Sequence, residues 1–193
     1  FPIGVAIEKT ATLALVNDDD RFSDYNFAGA QFTLFLNLQL SDRLEIIRRG
    51  TFIVLKKPAT SDEINLTLLD YMSKAEAGYN TNLVFPCSVR EVLEDACQQT
   101  GIVLGDATFK NADYQVQKKP ENTTFRAVIG MVAALAGGNA RIDENDNLRI
   151  ITFGDGADTI TLEAVLWYDI NGNTILDVRS NEIETVLERK GFN

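Results

Sequence analysis

The sequence has no histidine, two cysteines, four prolines and one tryptophan. Without histidine, neither the Ser-His-Asp nor the Cys-His nucleophile arrangement can be assembled, and most zinc sites lose a ligand. The two cysteines, Cys87 and Cys97, lie at the start and near the end of a predicted helix over residues 88–99. Ten helical residues span about 15 Å, too far for a disulfide. Both thiols are therefore expected to be reduced, with Cys97 in the core. No apolar run reaches the length that spans a bilayer, and no phosphate loop of the GxxxxGK[ST] kind occurs. Positive charge is also scarce: 18 Lys and Arg stand against 28 Asp and Glu, a net charge of −10. Such a chain has no cationic excess to release phosphate counterions, which argues against tight or sequence-specific nucleic-acid binding. The basic pairs Arg48-Arg49, Lys56-Lys57 and Lys118-Lys119 sit next to turns and lack the aromatic platforms of a single-strand binder. An acidic surface can still line a passage through which DNA slides, because like charges repel. Solubility is the plainer role for most of these acids.

What the chain does have is alternation in its first third and helical periodicity afterwards. With 193 residues it can hold one large or two small cored domains. Residues 10–16, 31–40, 44–47, 51–56 and 63–69 alternate apolar and polar side chains and read as strands. In the second of these, Phe32, Leu34, Leu36, Leu38 and Leu40 point one way, and Thr33, Phe35, Asn37 and Gln39 the other. Arg48-Arg49-Gly50 reads as the turn of a hairpin. Short turns and no intervening helix suggest an antiparallel β-barrel or sandwich over residues 1–70.

After Asp70 the pattern changes. Residues 71–79 read as a short helical turn. Ser88-Val89-Arg90-Glu91 fits a capping box at the start of a helix whose apolar face is Val89, Val92, Leu93, Ala96 and Cys97, with Gly101 as its stop. Residues 102–104 and 114–116 are short strand candidates. A second helix carries Phe125, Val128, Ile129, Val132, Leu135 and Ala136 on one face. Thr123 or Thr124 can cap its start, and Gly137 and Gly138 can take the left-handed backbone that ends it. Residues 140–143 and 148–153 then form a hairpin. Residues 71–153 thus read as a small two-helix α+β domain, so the fold class expected is α+β. The last stretch, 154–193, holds three basic and eight acidic residues. Its strand candidates are 159–167 and 175–178, with a turn at 169–173, and its acids are expected to face a channel.

Carboxylates supply no defined site. Asp18, Asp19, Asp20, Asp143 and Asp146 fall in turns, and Glu91, Glu94 and Asp95 on a helix, where solvation accounts for them. The run 17–20 has neither the glycine nor the spaced bidentate glutamate of a calcium hand. No catalytic, cofactor-binding or metal-ligating residue is assigned, no cofactor is expected, and the chain is read as not an enzyme. A peptidoglycan hydrolase would need a catalytic cleft, and a carbohydrate-binding module an exposed aromatic cluster such as Trp167 with Tyr168.

The order of short motifs is more specific than any one of them. A β-rich segment ends in G-T-F-x-V (Gly50, Val54). Next comes D-x-I-x-L-T-x-x-D-x-M-x-K (Asp62, Lys74), then V-L-E-D-A-C (Val92, Cys97) with a Gly-Ile stop. Pro120, Thr124 and Arg126 lead into a helix ending A-A-L-A-G-G (Ala133, Gly138), and a hairpin of the form A-R-I-D-x-x-x-x-L-R-I follows. Over residues 1–153 this succession resembles the N-terminal part of bacteriophage and prophage tail hub proteins, also known as baseplate hub proteins. The resemblance implies a homotrimer at the end of the tail tube, in which β-barrels form a ring. It implies as partners the tube-end or distal tail protein, the tape measure, and tip or fibre proteins. It places the chain in the virion tail, assembled in the bacterial cytoplasm. Residues 1–70 would be most of the first barrel, 71–153 an inserted domain, and 154–193 the start of a second barrel or a return to the first. Hubs of contractile injection and secretion machines are close variants. The abrupt start at Phe1-Pro2-Ile3-Gly4 reads as the interior of a longer protein.

Overall fold

Strand alternation in the first third builds one antiparallel sheet. A computed structural model describes residues 2–56 and 62–153, together with the strand pairs at 167–168 and 174–175. Strands β1 (Ala6–Ile7), β2 (Thr10–Val16), β3 (Gln31–Gln39), β4 (Leu44–Val54) and β5 (Glu63–Leu69) come first. Four of them form a sheet in the order β2-β5-β4-β3, antiparallel throughout. Ile64, Leu66 and Leu68 of β5 are fully buried on one face, with Phe52 and Val54 beside them. The 17–30 loop folds over this face and contributes Phe22 and Phe27. Burial of side chains of this size stabilises by roughly 1.5–3 kcal/mol each. The sheet is open, with β2 and β3 at its edges, so no barrel closes among the described residues.

The expected hairpin at Arg48-Arg49-Gly50 is not a turn. Residues 44–54 form one continuous strand. Leu34 faces Gly50 while Phe35 faces Arg48, which leaves Arg49 as the extra residue of a β-bulge. Gly50 takes a φ of +113° there, a conformation that a side chain would strain. The Arg-Arg-Gly signal thus marks an irregularity inside a strand.

The remainder of this unit is an α+β layer. A 3-10 helix spans Tyr71–Glu76, capped by Asp70 through the Met72 amide. Strands β6 (Cys87–Ser88) and β8 (Gln115–Val116) pair in a small ribbon, and helix α1 covers Val89–Thr100. Its capping box is present, with Ser88 accepting from the Glu91 amide and Glu91 accepting from the Ser88 amide. Gly101 ends it at φ +66°. Helix α2 (Phe125–Leu135) is capped by Thr124, and Gly137 supplies the left-handed residue after it. Gly138, expected at that stop, instead opens a strand. Strands β7 (Val103–Leu104), β9 (Gly138–Ile142) and β10 (Asn147–Thr152) complete a second sheet in the order β1-β9-β10-β7. Both helices bury their predicted apolar faces against it, around Met72, Leu93, Ile129, Ile142 and Leu148, except that Leu135, expected on the α2 face, is exposed.

Strand β1 was not legible as a strand. Ala6 and Ile7 pair parallel with Ala140 and Arg141, so residues 10–69 interrupt a sheet whose first strand precedes them. Residues 1–155 form one compact unit and residues 156–193 another. In the second, β11 (Trp167–Tyr168) pairs antiparallel with β12 (Thr174–Ile175). The other readings made for residues 154–193, including the turn at 169–173 and the channel-facing acids, lie outside the described residues. Among the described residues the protein is α+β, with one antiparallel sheet, one mixed sheet and two α-helices.

Candidate assembly surface

The most unusual surface follows from how little β4 and β5 overlap. They pair only at Ile53 with Leu69 and Val54 with Leu68. Beyond that point β3 and β4 continue as a two-stranded ribbon. At about 3.4 Å per residue, residues 35–39 alone carry it about 17 Å further. Cross-strand partners share a face, so Leu36 with Ile47 and Leu38 with Glu45 lie on one side. Phe35 with Arg48, Asn37 with Ile46 and Gln39 with Leu44 lie on the other. Apolar side chains are exposed on both sides: Ile46 at 61%, Phe35 at 56%, Leu44 at 53% and Leu36 at 45%, with Leu38 and Leu40 close behind. Alternation gave β3 one apolar row and one mixed row, and in the ribbon neither is covered. Large apolar residues grouped in this way mark interaction surfaces more than ordinary monomer surface.

The base of the ribbon is held firmly. The turn between β9 and β10 docks on the bulge through Asp146, which has a φ of +68°. Its Oδ1 accepts the Thr51 N–H at 2.7 Å. Its Oδ2 accepts from Arg48 Nη2 at 2.6 Å and from the Thr51 hydroxyl at 2.8 Å. Arg48 also donates to the Glu144 carbonyl. Burial opposes ionisation of Asp146, but the hydrogen bonds from Arg48 and Thr51 outweigh it, so its carboxyl titrates below the usual range. Asp143 behaves alike: burial is overcome by the Asn147 amide, Arg149 and the Asn145 amide. Sequence placed both aspartates in a solvated turn; in the structure Asp143 shapes that turn from within its own hairpin, and Asp146 fastens the turn to the first sheet.

A second joint lies where the chain crosses between sheets. Only Glu8 and Lys9 separate β1 from β2, and Asp70 separates β5 from the 3-10 helix. The Lys9 N–H donates to Asp70 Oδ2, and the Asp70 N–H donates to the Lys9 carbonyl, each at 3.1 Å. Arg126 of α2 reaches this joint, with Nε donating to the Ala6 carbonyl at 3.1 Å and Nη1 pairing with Glu76 at 2.5 Å and Glu8 at 3.6 Å. Glu8 Oε1 is buried without a hydrogen-bond partner. Burial raises the Glu8 carboxyl above its ordinary range; Arg126 offsets this in part, while Asp70 and Glu76 add to it. Burial likewise raises Asp70, against the pull of the Lys9 and Met72 amides.

Groups that might have carried chemistry have structural work instead. Glu91 closes the α1 cap. Asp95 accepts from Gln99, and Asp19 pairs with Arg21 at 2.5 Å. Asn17 is buried, and its side-chain oxygen accepts the Phe22 amide, which shapes the acidic loop. Among the described residues no group of three or more acidic or cysteine ligands converges. Cys87 and Cys97 are free and buried. Burial, with Glu94 adding to it, raises the Cys97 thiol to about 12. An open groove of about 320 Å³ lies beside α2, lined by Gly4, Val5, Ala6, Thr124, Arg126, Ala127 and Gly130. Only Arg126 among these is ionisable, and it is engaged at the joint. The side chains of Trp167 and Tyr168, on which an aromatic binding site would rest, lie outside the described set. No described helix is long and apolar enough to cross a membrane.

No protein-family profile matches the chain, and no curated protein matches it. Among solved structures, the chain is similar to the 43 kDa tail protein of prophage MuSo2 from Shewanella oneidensis, at 16% identity and a TM-score of 0.42. The match covers 76% of this chain and 47% of that one, so the chain spans about half the length of that protein. A likeness this distant fixes neither fold nor role.

Proposed function

We propose that this chain is a structural component of a bacteriophage or prophage tail, a hub that joins the tail tube to the tip. The observation that carries the reading is the β3–β4 ribbon, braced at its base by Asp146 and apolar on both faces. A surface of that kind suits permanent contact within an assembly better than turnover of a soluble substrate. The motif succession across residues 1–153 supplies the particular assembly. In this reading the chain acts without catalysis as part of a trimer, and meets the tube-end protein, the tape measure, and tip or fibre proteins. DNA passes it without being read, in keeping with the net charge of −10. The same surface would serve a hub of a contractile injection machine.

Immunogold electron microscopy of tails released by the producing strain tests the proposal. The expected result is label confined to the tip end of the tail. Label along the whole tube, or none on particles while the protein remains in the soluble fraction, refutes it.

A further inference from the structure

The edges of the first sheet lack the protection that sheet edges normally carry. Exposed edge strands usually hold lysines, prolines or inward-pointing charges that stop other strands from adding. Here β2 reads TATLALV and β3 reads QFTLFLNLQ. Neither has a single charged residue or a proline. The charges lie on the two interior strands instead, as Glu45, Arg48 and Arg49 of β4 and Glu63 of β5. In an acidic chain this is the reverse of the usual arrangement. Among the described residues neither outer edge pairs with another strand.

We propose that β3 of one molecule pairs with β2 of a second copy of this chain, so that copies join head to tail through a shared antiparallel sheet. Three features select this occupant. First, direction fits. The four strands alternate strictly, so β2 and β3 of one sheet run oppositely, and a neighbour's β2 set beside β3 continues the alternation. Second, the faces fit. Phe32 and Leu34 of β3 and Ala11, Leu13 and Leu15 of β2 all lie on the side of the sheet that holds its core. Leu36 and Leu38 continue the β3 row by alternation, and remain exposed in the single chain. A neighbour's Leu13 and Leu15 would extend the apolar layer over them. On the opposite side Thr10 and Thr12 would adjoin Thr33, Asn37 and Gln39. Third, head to tail is the one arrangement in which a single kind of joint satisfies both edges of every copy. Pairing β3 with β3 across a two-fold leaves each β2 open, whereas a head-to-tail joint repeats and can close a ring. The inference rests on the assembly reading above and names the contact and its polarity. It does not depend on which machine the assembly serves.

Lysine substitutions on one edge at a time test it. L36K/L38K blocks β3, and T12K/A14K blocks β2; all four positions are exposed, so each variant should keep the wild-type circular dichroism spectrum and melting temperature. Masses are read by light scattering on a sizing column across a concentration series. Wild type should exceed one chain, and each variant alone should run as one chain, because each lacks half of the joint. Mixed together, the two variants should form a species of two chains, since the intact β2 of one meets the intact β3 of the other. A wild type that stays single at every concentration overturns the inference, even if it captures a different protein. Variants that each form dimers alone overturn it in favour of same-edge pairing. Variants that keep the wild-type mass overturn this edge contact but leave the tail reading standing, because that reading is judged by the position of the label on tails.

Discussion

Replacing Asp146 should loosen the joint between the two sheets by an amount that can be worked out in advance. The carboxylate accepts three hydrogen bonds, one from a guanidinium, and its side chain is 17% exposed. Hydrogen bonds to a charged group contribute about 1.5–3 kcal/mol. Arg48 is 31% exposed and keeps the Glu144 carbonyl, so water and that carbonyl recover part of the loss. D146G, which removes the side chain without backbone strain, should therefore cost about 2–3 kcal/mol. D146A must in addition hold alanine in the left-handed region, which adds about 1 kcal/mol. D146N keeps an acceptor for the Thr51 amide and tolerates that backbone, and should cost only about 1 kcal/mol. For a unit of this size each kcal/mol lowers the melting temperature by about 2–4 °C, so D146A, at about 3–4 kcal/mol, should melt about 6–16 °C lower. Scanning calorimetry of the four proteins at pH 7, with an R48A cycle to isolate the pair, is the assay. The folded carboxyl titrates below its ordinary value. Its contribution is therefore complete above that value and fades as pH falls through the lower, folded one, so the differences between variants should shrink in strong acid. Alanine and glycine variants that melt with wild type, or an alanine variant no worse than glycine, would refute this account of the joint.

Glu8 carries the opposite sign. Its folded pKa is raised, so its contribution is full below the ordinary carboxylate value and is lost as pH rises through the folded one. E8Q should raise the melting temperature at pH 7, and the gain should vanish as wild type is acidified; equal melting at pH 7 contradicts it. Cys97, with its thiol raised to about 12, and buried Cys87 should resist iodoacetamide at pH 8 until the chain unfolds, and mass spectrometry showing rapid native labelling would count against both placements. G138A should be severe, because a Cβ there falls 1.9 Å from the Ile151 carbonyl oxygen. We expect a cost at or above about 3 kcal/mol, the upper end for overpacking, and near-normal denaturant stability would contradict the tight β9–β10 approach.

Local signals in the sequence carried most of the secondary structure. Both helices were legible because Ser88, Glu91, Thr124 and Gly137 act within a few residues of the ends they cap. What depends on distant partners was not. Ala6 and Ile7 have no strand signature of their own and become a strand because β9 supplies the ladder. Arg48-Arg49-Gly50 has the composition of a turn, and only docking by Asp146 from the far hairpin shows it to be a bulge within a strand. Alternation in β3 gave its two faces correctly, but alternation cannot say that a strand outruns its neighbours. The exposure of Leu36, Leu44 and Ile46 was therefore invisible. Asp146 was read as solvated because turn position is local information and docking on β4 is not.

The reciprocal Lys9–Asp70 hydrogen bonds hold together the two ends of everything between them. Residues 10–69 leave and re-enter the α+β layer at nearly one point, as a cassette does, and not as a link in a string. Such a cassette can be exchanged or lengthened without moving the rest of the chain apart. The host layer should accordingly survive its removal. A chain in which residues 10–69 are replaced by a short glycine-containing turn should keep the β1–β9 pairing, read as slow exchange of the Ala140 amide, which donates to the Val5 carbonyl. Rapid exchange there would mean that the cassette holds its host together. The α+β layer is then a socket and residues 10–69 its plug, and a change of neighbour at the ribbon needs change only in the plug.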